Sequence, residues 1–82
     1  MNNKIISKTE AAYLILTEYN KPMNVREIVK IALDRGLIEV KGKTPDSTLA
    51  ADLLQENRRR TERNLPLRFR KVSPGTWEAI SN

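Results

Sequence analysis

Three helix-start signals set the order of elements that this chain can form. Ser7 stands three residues before Glu10, and Asn24 stands three residues before Glu27, so both pairs fit the capping-box pattern. A third start is predicted where "TP" occupies residues 44–45, because threonine can cap a helix and proline at the first helical position loses no hydrogen bond. The chain is therefore expected to contain three helices.

Apolar residues at helical spacing follow each start. The first helix is predicted to run to about Tyr19, the second to end before a left-handed Gly36, and the third to span residues 45 to about 59. Residues 37–40 alternate too briefly to distinguish a short strand from an extended connection. The predicted buried faces are Ala12, Ile15, Leu16 and Tyr19 in the first helix, Val25, Ile28, Val29, Ala32 and Leu33 in the second, and Leu49, Ala50, Leu53 and Asn57 in the third.

The C-terminal part is predicted to form a two-stranded hairpin. Residues 67–72 are rich in β-forming side chains, "SPG" at 73–75 favours a turn, and residues 76–80 supply the second strand. An isolated hairpin is marginal in water, so it must pack against the helices. Phe69 and Trp77 are the natural anchors.

Composition limits both the size and the chemistry of the protein. The 82 residues include 15 basic and 10 acidic ones, but no cysteine and no histidine, which leaves no disulfide, thiolate metal site or histidine base. We therefore expect one domain over residues 1–82, without metal or cofactor. The order of elements predicts a mainly helical α+β fold, a winged helix-turn-helix with three helices followed by a two-stranded wing hairpin.

Positive charge is concentrated in residues 58–71. This stretch holds seven basic residues and one acid, Glu62, whereas the remainder of the chain is nearly balanced. Such a cluster is typical of a surface that binds a polyanion, but a solvated arginine-rich loop fits the charge equally well. The basic residues are Arg58, Arg59, Arg60, Arg63, Arg68, Arg70 and Lys71.

The sequence "GKT" at residues 42–44 raises the alternative of a phosphate-binding loop. That motif places its first glycine five positions before the second, which here is Leu37, and Gly36 lies one residue too early. We therefore reject a nucleotide-binding loop. Lys41 and Lys43 instead precede a helix N-terminus, whose free N–H groups are suited to one phosphate of a nucleic-acid backbone.

Residues 11–80 resemble the HARE-type helix-turn-helix domain, a winged-helix family. The similarity lies in "AAYLIL", "KPMNVREIVKIAL", "GLI" followed by "KGKTPDSTLAADL", and "FRKVSPGTWEAI". Members occur in chromatin regulators, fused to restriction endonucleases and in the delta subunit of bacterial RNA polymerase. The resemblance implies a non-catalytic DNA-binding module. The family usually has an apolar residue where Arg70 stands; an outward Arg70 would add to the basic surface, and an inward one would mean a register error.

In a winged helix the third helix enters the major groove, so its exposed residues are predicted to reach base edges. Gln55 suits an adenine edge, and Arg58 or Arg59 suits guanine or phosphate. With few base-reading side chains, the domain is expected to bind double-stranded DNA with strong salt dependence and weak sequence selectivity. The predicted nucleic-acid-binding residues are Lys41, Lys43, Thr44, Ser47, Thr48, Ala51, Gln55, Arg58, Arg59, Arg68, Arg70 and Lys71.

Two other functions were weighed against DNA binding. A protein-interaction adaptor in the transcription or restriction machinery is permitted by the delta-like branch of the resemblance. An enzyme is disfavoured because the acids are scattered singly, without metal-site spacing. The N-terminal segment has no long apolar run, so we expect neither a signal peptide nor a membrane span, and an intracellular location.

Overall fold

A computed structural model of the protein describes residues 5–39 and 45–80. Within these residues the chain forms three helices and a three-stranded sheet, and the order of elements is that of a winged helix-turn-helix. The elements are α1 (Lys8–Tyr19), β1 (Met23–Asn24), α2 (Val25–Asp34), α3 (Pro45–Glu62), β2 (Phe69–Ser73) and β3 (Thr76–Ala79).

Helix α1 begins as its cap predicts but buries a slightly different face. The Glu10 backbone N–H donates to the Ser7 hydroxyl at 3.2 Å. The prediction that Tyr19 is buried was wrong, because it is 42% exposed at the last position of the helix, where Asn20 turns the chain with a φ of 53°. The buried residues are Ala11, Ala12, Ile15 and Leu16.

Helix α2 has the complete capping box that its sequence predicts. Asn24 Oδ1 accepts from the Arg26 N–H at 2.9 Å, and the Glu27 carboxylate accepts from the Asn24 N–H. Leu33, predicted to be buried, is 42% exposed because it lies about 100° around the helix from buried Ala32, at the edge of the apolar stripe. Val25, Ile28, Val29 and Ala32 are buried as predicted.

Gly36 ends α2 in the left-handed conformation, with a φ of 66°. Its N–H donates to the Leu33 carbonyl at 3.0 Å, and the Leu37 N–H donates to the Ala32 carbonyl at 2.9 Å, the bonds of a Schellman cap. Beyond it, Ile38 is buried, and residues 37–39 form an extended connection rather than a strand.

Replacing Gly36 by alanine is expected to lower the free energy of unfolding by about 1 kcal/mol, because a Cβ disfavours this backbone conformation. No atom lies within 4 Å of that Cβ position, so the loss measures backbone strain and not a clash. Urea unfolding tests this. Gly36→Asn should lose less, since asparagine tolerates the left-handed region, and equal stability of Gly36→Ala and the wild type would contradict the explanation.

Helix α3 is longer than predicted by about one turn and ends at Glu62. Leu49 and Leu53 are fully buried, whereas Ala50 and Asn57 are partly buried. The predicted division of the helix into an inner and an outer side is therefore confirmed.

The sheet has the order β1-β3-β2 and is antiparallel. Met23 of β1 and Lys71 of β2 both pair with Trp77 of β3. The hairpin turns at residues 74–75, where Gly75 has a φ of 77°. Strand β1 was not predicted, because two residues are too few to show an alternating pattern.

The core lies where the sheet meets the helices. Trp77 is 1% exposed and Phe69 is fully buried, and they join Ile15 and Leu53 in one apolar cluster. The prediction that these two aromatic residues anchor the hairpin is confirmed.

Candidate nucleic-acid interface

The outer side of α3 carries polar side chains that have no bonding partner within the fold. Gln55, Arg58 and Arg59 are exposed, and none of them makes a hydrogen bond or ion pair with the described residues. Thr48 and Ala51 are exposed on the same side, three to four residues apart along the helix. Buried Leu49 and Leu53 fix the opposite side, so this face is held toward solvent.

The neighbouring Arg60 is turned away from that face. Its Nε donates to Glu56 Oε2 at 3.2 Å and its Nη1 donates to the Pro66 carbonyl at 3.1 Å. This agrees with the prediction that Arg58, Arg59 and Arg60 point in different directions, since successive helical residues are about 100° apart.

A groove of about 290 Å³ separates the first turn of α1 from the outer side of α3. Lys8 and Thr9 line one wall, and Gln55 and Arg59 line the other, with Asp52 between them. Sequence reasoning missed Lys8, because only the packing of α1 against α3 brings it near Arg59.

The wing cations lie on opposite faces of the sheet. Arg70 pairs across the strands with Glu78, and its Nε donates to Glu78 Oε2 at 2.6 Å. Lys71 is the cross-strand partner of buried Trp77, so it belongs to the other face. Arg70 thus faces outward, which settles the register question that the sequence raised.

Arg68 is bound inside the fold. Its Nε donates to Glu56 Oε2 at 2.9 Å and its Nη2 donates to Glu10 Oε2 at 2.8 Å. Its side chain is only 17% exposed, and its guanidinium carbon lies 4.5 Å from the centroid of the Tyr13 ring. A phosphate contact by Arg68 stays a prediction, but its bonds in this structure go to carboxylates.

Comparison with known families agrees with this architecture. The model of the HARE-HTH family, the helix-turn-helix domain of ASXL proteins and restriction endonucleases, matches residues 6–79. The chain belongs to the HARE-HTH family. HARE-HTH domains are a family of DNA-binding helix-turn-helix modules, not of catalysts. No curated protein and no solved structure matches the chain.

The charges around Arg68 in this HARE-HTH domain reinforce one another. Burial alone would raise the pKa of Glu56, but the hydrogen bond and charge of Arg68, with a hydrogen bond from Arg60, hold that pKa below its usual value. Burial alone would lower the pKa of Arg68, and its bonds to Glu10 and Glu56 raise it instead. All of these side chains are therefore charged at neutral pH.

Part of the predicted interface of the HARE-HTH domain lies outside the described residues. This applies to Lys41, Lys43 and Thr44, while Ser47 is placed only as a position in α3. Among the residues that the structure does describe, no group of three acidic side chains is close enough to hold a metal ion, and no helix is long and apolar enough to cross a membrane.

Proposed function

We propose that this HARE-HTH domain binds double-stranded DNA by inserting the outer side of α3 into the major groove. The observation that carries the proposal is that Gln55, Arg58 and Arg59 are exposed together and make no bond with the described residues. An α-helix fits the major groove, and these side chains are the types that bond adenine, guanine and phosphate. Ala51, between them, is small enough to let the helix approach the bases.

Phosphates on either side of the groove would be held by the remaining predicted residues. We place Lys41, Lys43, Thr44, Ser47 and Thr48 at the start of α3, where helix N–H groups favour an anion. On the wing, Lys71 is exposed and free of ion pairs with the described residues, and Arg70 is engaged only in an exposed pair with Glu78, which is weak in water.

The binding should depend strongly on salt and only weakly on sequence. Gln55, Arg58 and Arg59 are few base-reading groups for one module, whereas phosphate contacts dominate affinity without carrying sequence information. A non-catalytic module of this kind suits the targeting or regulation of an activity carried out by another domain or protein.

The double substitution Arg58→Ala/Arg59→Ala is expected to weaken binding to duplex DNA. The slope of log K against log salt concentration should become shallower by about 0.9 for each arginine that neutralises a phosphate. The free energy of unfolding should change by no more than about 0.5 kcal/mol, because both side chains are exposed. Fluorescence anisotropy at several salt concentrations and thermal melts measure the two quantities.

The matched control is Lys21→Ala/Lys30→Ala, which removes two exposed positive charges outside α3 and the wing. It should keep the wild-type salt slope. If the α3 variant binds as tightly as the wild type, the assignment of this face is wrong. If the wild type does not bind duplex DNA even at low salt, DNA binding is rejected and an adaptor for a protein of the transcription machinery becomes the leading function.

A further inference from the structure

One arginine joins the three parts of the fold that would have to act together on DNA. Arg68 directly precedes β2, and it bonds Glu10 in α1 and Glu56 in α3 at 2.8 and 2.9 Å. Glu10 and Arg68 are 58 residues apart in the sequence. This cluster, defined here as Glu10, Glu56 and Arg68, therefore links the first helix, the DNA-facing helix and the root of the wing.

The surroundings of Arg68 fix the plane of its guanidinium group. The group lies 4.5 Å from the centroid of Tyr13 and 5.6 Å from that of Phe69, and these two rings meet edge to face at 5.8 Å. Its Nε and Nη2 donate in two directions at once to two carboxylates. A lysine has a single ammonium on a flexible stem and does not reproduce this planar fork.

The cluster complements other bonds between α3 and the wing root. Asn57 Nδ2 donates to the Phe69 carbonyl at 3.1 Å, and Arg60 Nη1 donates to the Pro66 carbonyl at 3.1 Å. These bonds tie α3 to the chain that enters β2 but do not reach α1. The bond from Arg68 to Glu10 adds that third element, so that the wing root is fixed relative to both helices.

We propose that Arg68 is a positioning residue, which holds the wing root against α1 and α3 in the arrangement that lets α3 and the wing contact one duplex. This rests on the proposed function. Direct neutralisation of a phosphate is disfavoured, because the phosphate would have to replace two carboxylates around a side chain that is already mostly buried. The role of Arg68 is therefore mechanical, unlike that of Arg58 and Arg59.

Substitution by lysine and by glutamine separates the two roles. As a positioning residue, Arg68→Lys and Arg68→Gln should each lower the affinity for duplex DNA by about tenfold, with the salt slope of the wild type. As a phosphate contact, Arg68→Lys should bind nearly as the wild type does, and Arg68→Gln should have a slope shallower by about 0.9. Backbone amide spectra of β2 and β3 should shift in both variants only under the positioning role.

A second variant keeps the test decisive if the Arg68 variants fold poorly. Glu10 lies at the exposed end of the cluster, and Glu10→Gln removes a negative charge from a domain that binds a polyanion. Electrostatics alone would then strengthen binding. The positioning role predicts the opposite, a several-fold loss of affinity, so tighter binding by Glu10→Gln would overturn the proposal.

Arg70→Lys and Arg70→Gln serve as matched controls in the same strand, because Arg70 bonds only Glu78 among the described residues. The two proposals fail in different ways. A wild-type protein without affinity for duplex DNA overturns the proposed function and this inference with it. A wild-type protein that binds, with an Arg68→Lys variant that binds equally well, overturns only the positioning role.

Discussion

Replacing Trp77 by alanine is expected to lower the free energy of unfolding by about 3–5 kcal/mol, the largest effect of any single substitution considered for this protein. Trp77 is 1% exposed and is one of the largest side chains in the core. It also stands in the middle strand, opposite Met23 on one side and Lys71 on the other. Its removal would leave a cavity where the sheet meets the helices, in a domain whose total stability is of the order of 5–15 kcal/mol.

Urea unfolding followed by circular dichroism at 222 nm measures this loss. Val72→Ala is the matched control, because Val72 is also a wing residue but is exposed, and it should change the stability by about 0.5 kcal/mol or less. A loss of similar size in both variants would mean that the wing contributes through strand propensity and not through the packing of Trp77.

Replacing Glu56 by alanine is expected to cost roughly 1.5–3 kcal/mol, the usual contribution of hydrogen bonds to charged groups. The side chain is 16% exposed and its Oε2 accepts from both Arg60 and Arg68. Its loss leaves Arg68, which is mostly buried, with Glu10 alone. If Glu56→Ala is as stable as the wild type, water must replace the carboxylate without cost, and the cluster does not hold the wing root.

The same pair predicts a loss of stability in acid. The pKa of Glu56 in the folded protein is below its usual value of 4.5, so the charged carboxylate stabilises the fold above that pH. This contribution disappears as the pH falls through the lowered pKa, because the protonated acid no longer accepts from two arginines. Glu56→Gln should flatten this part of the dependence of the urea midpoint on pH.

Glu18→Gln is the matched control for acid sensitivity. Hydrogen bonding and the charge of Arg35 also hold the pKa of Glu18 below its usual value, but this pair is exposed and screened by water. Its removal should change the acid dependence less than Glu56→Gln does. Equal effects would show that burial of the Glu56 pair is unimportant.

The fold could be predicted from the sequence wherever a local rule decides the structure. Ser7 and Asn24 cap their helices because each side chain accepts from a backbone N–H two or three residues away. Gly36 and Gly75 turn the chain because both sites need a positive φ. Such information lies within a few residues of the sequence. The edge positions Tyr19 and Leu33 were assigned wrongly, because the width of a buried stripe depends on what packs against it.

The features that could not be predicted depend on residues far apart in the chain. Arg68 was predicted as one cation of a phosphate-binding surface, because the sequence shows its basic neighbours but not its distance from Glu10 and Glu56. Strand β1 escaped notice for the same reason, since it exists only through its pairing with β3. The outer side of α3 was predicted correctly, because helical periodicity alone separates Gln55 and Arg59 from Leu53.

The pairing of Met23 with Trp77 has a consequence for how the chain acquires its structure during synthesis. The middle strand of the sheet is nearly the last segment to leave the ribosome, whereas its first partner emerges more than fifty residues earlier. Helical turns can form as they emerge, but a contact of such large sequence separation must wait for the late segment and adds to the entropy of loop closure. The nascent domain is therefore expected to remain a set of loosely associated helices until residue 77 has emerged, and then to close in one cooperative step.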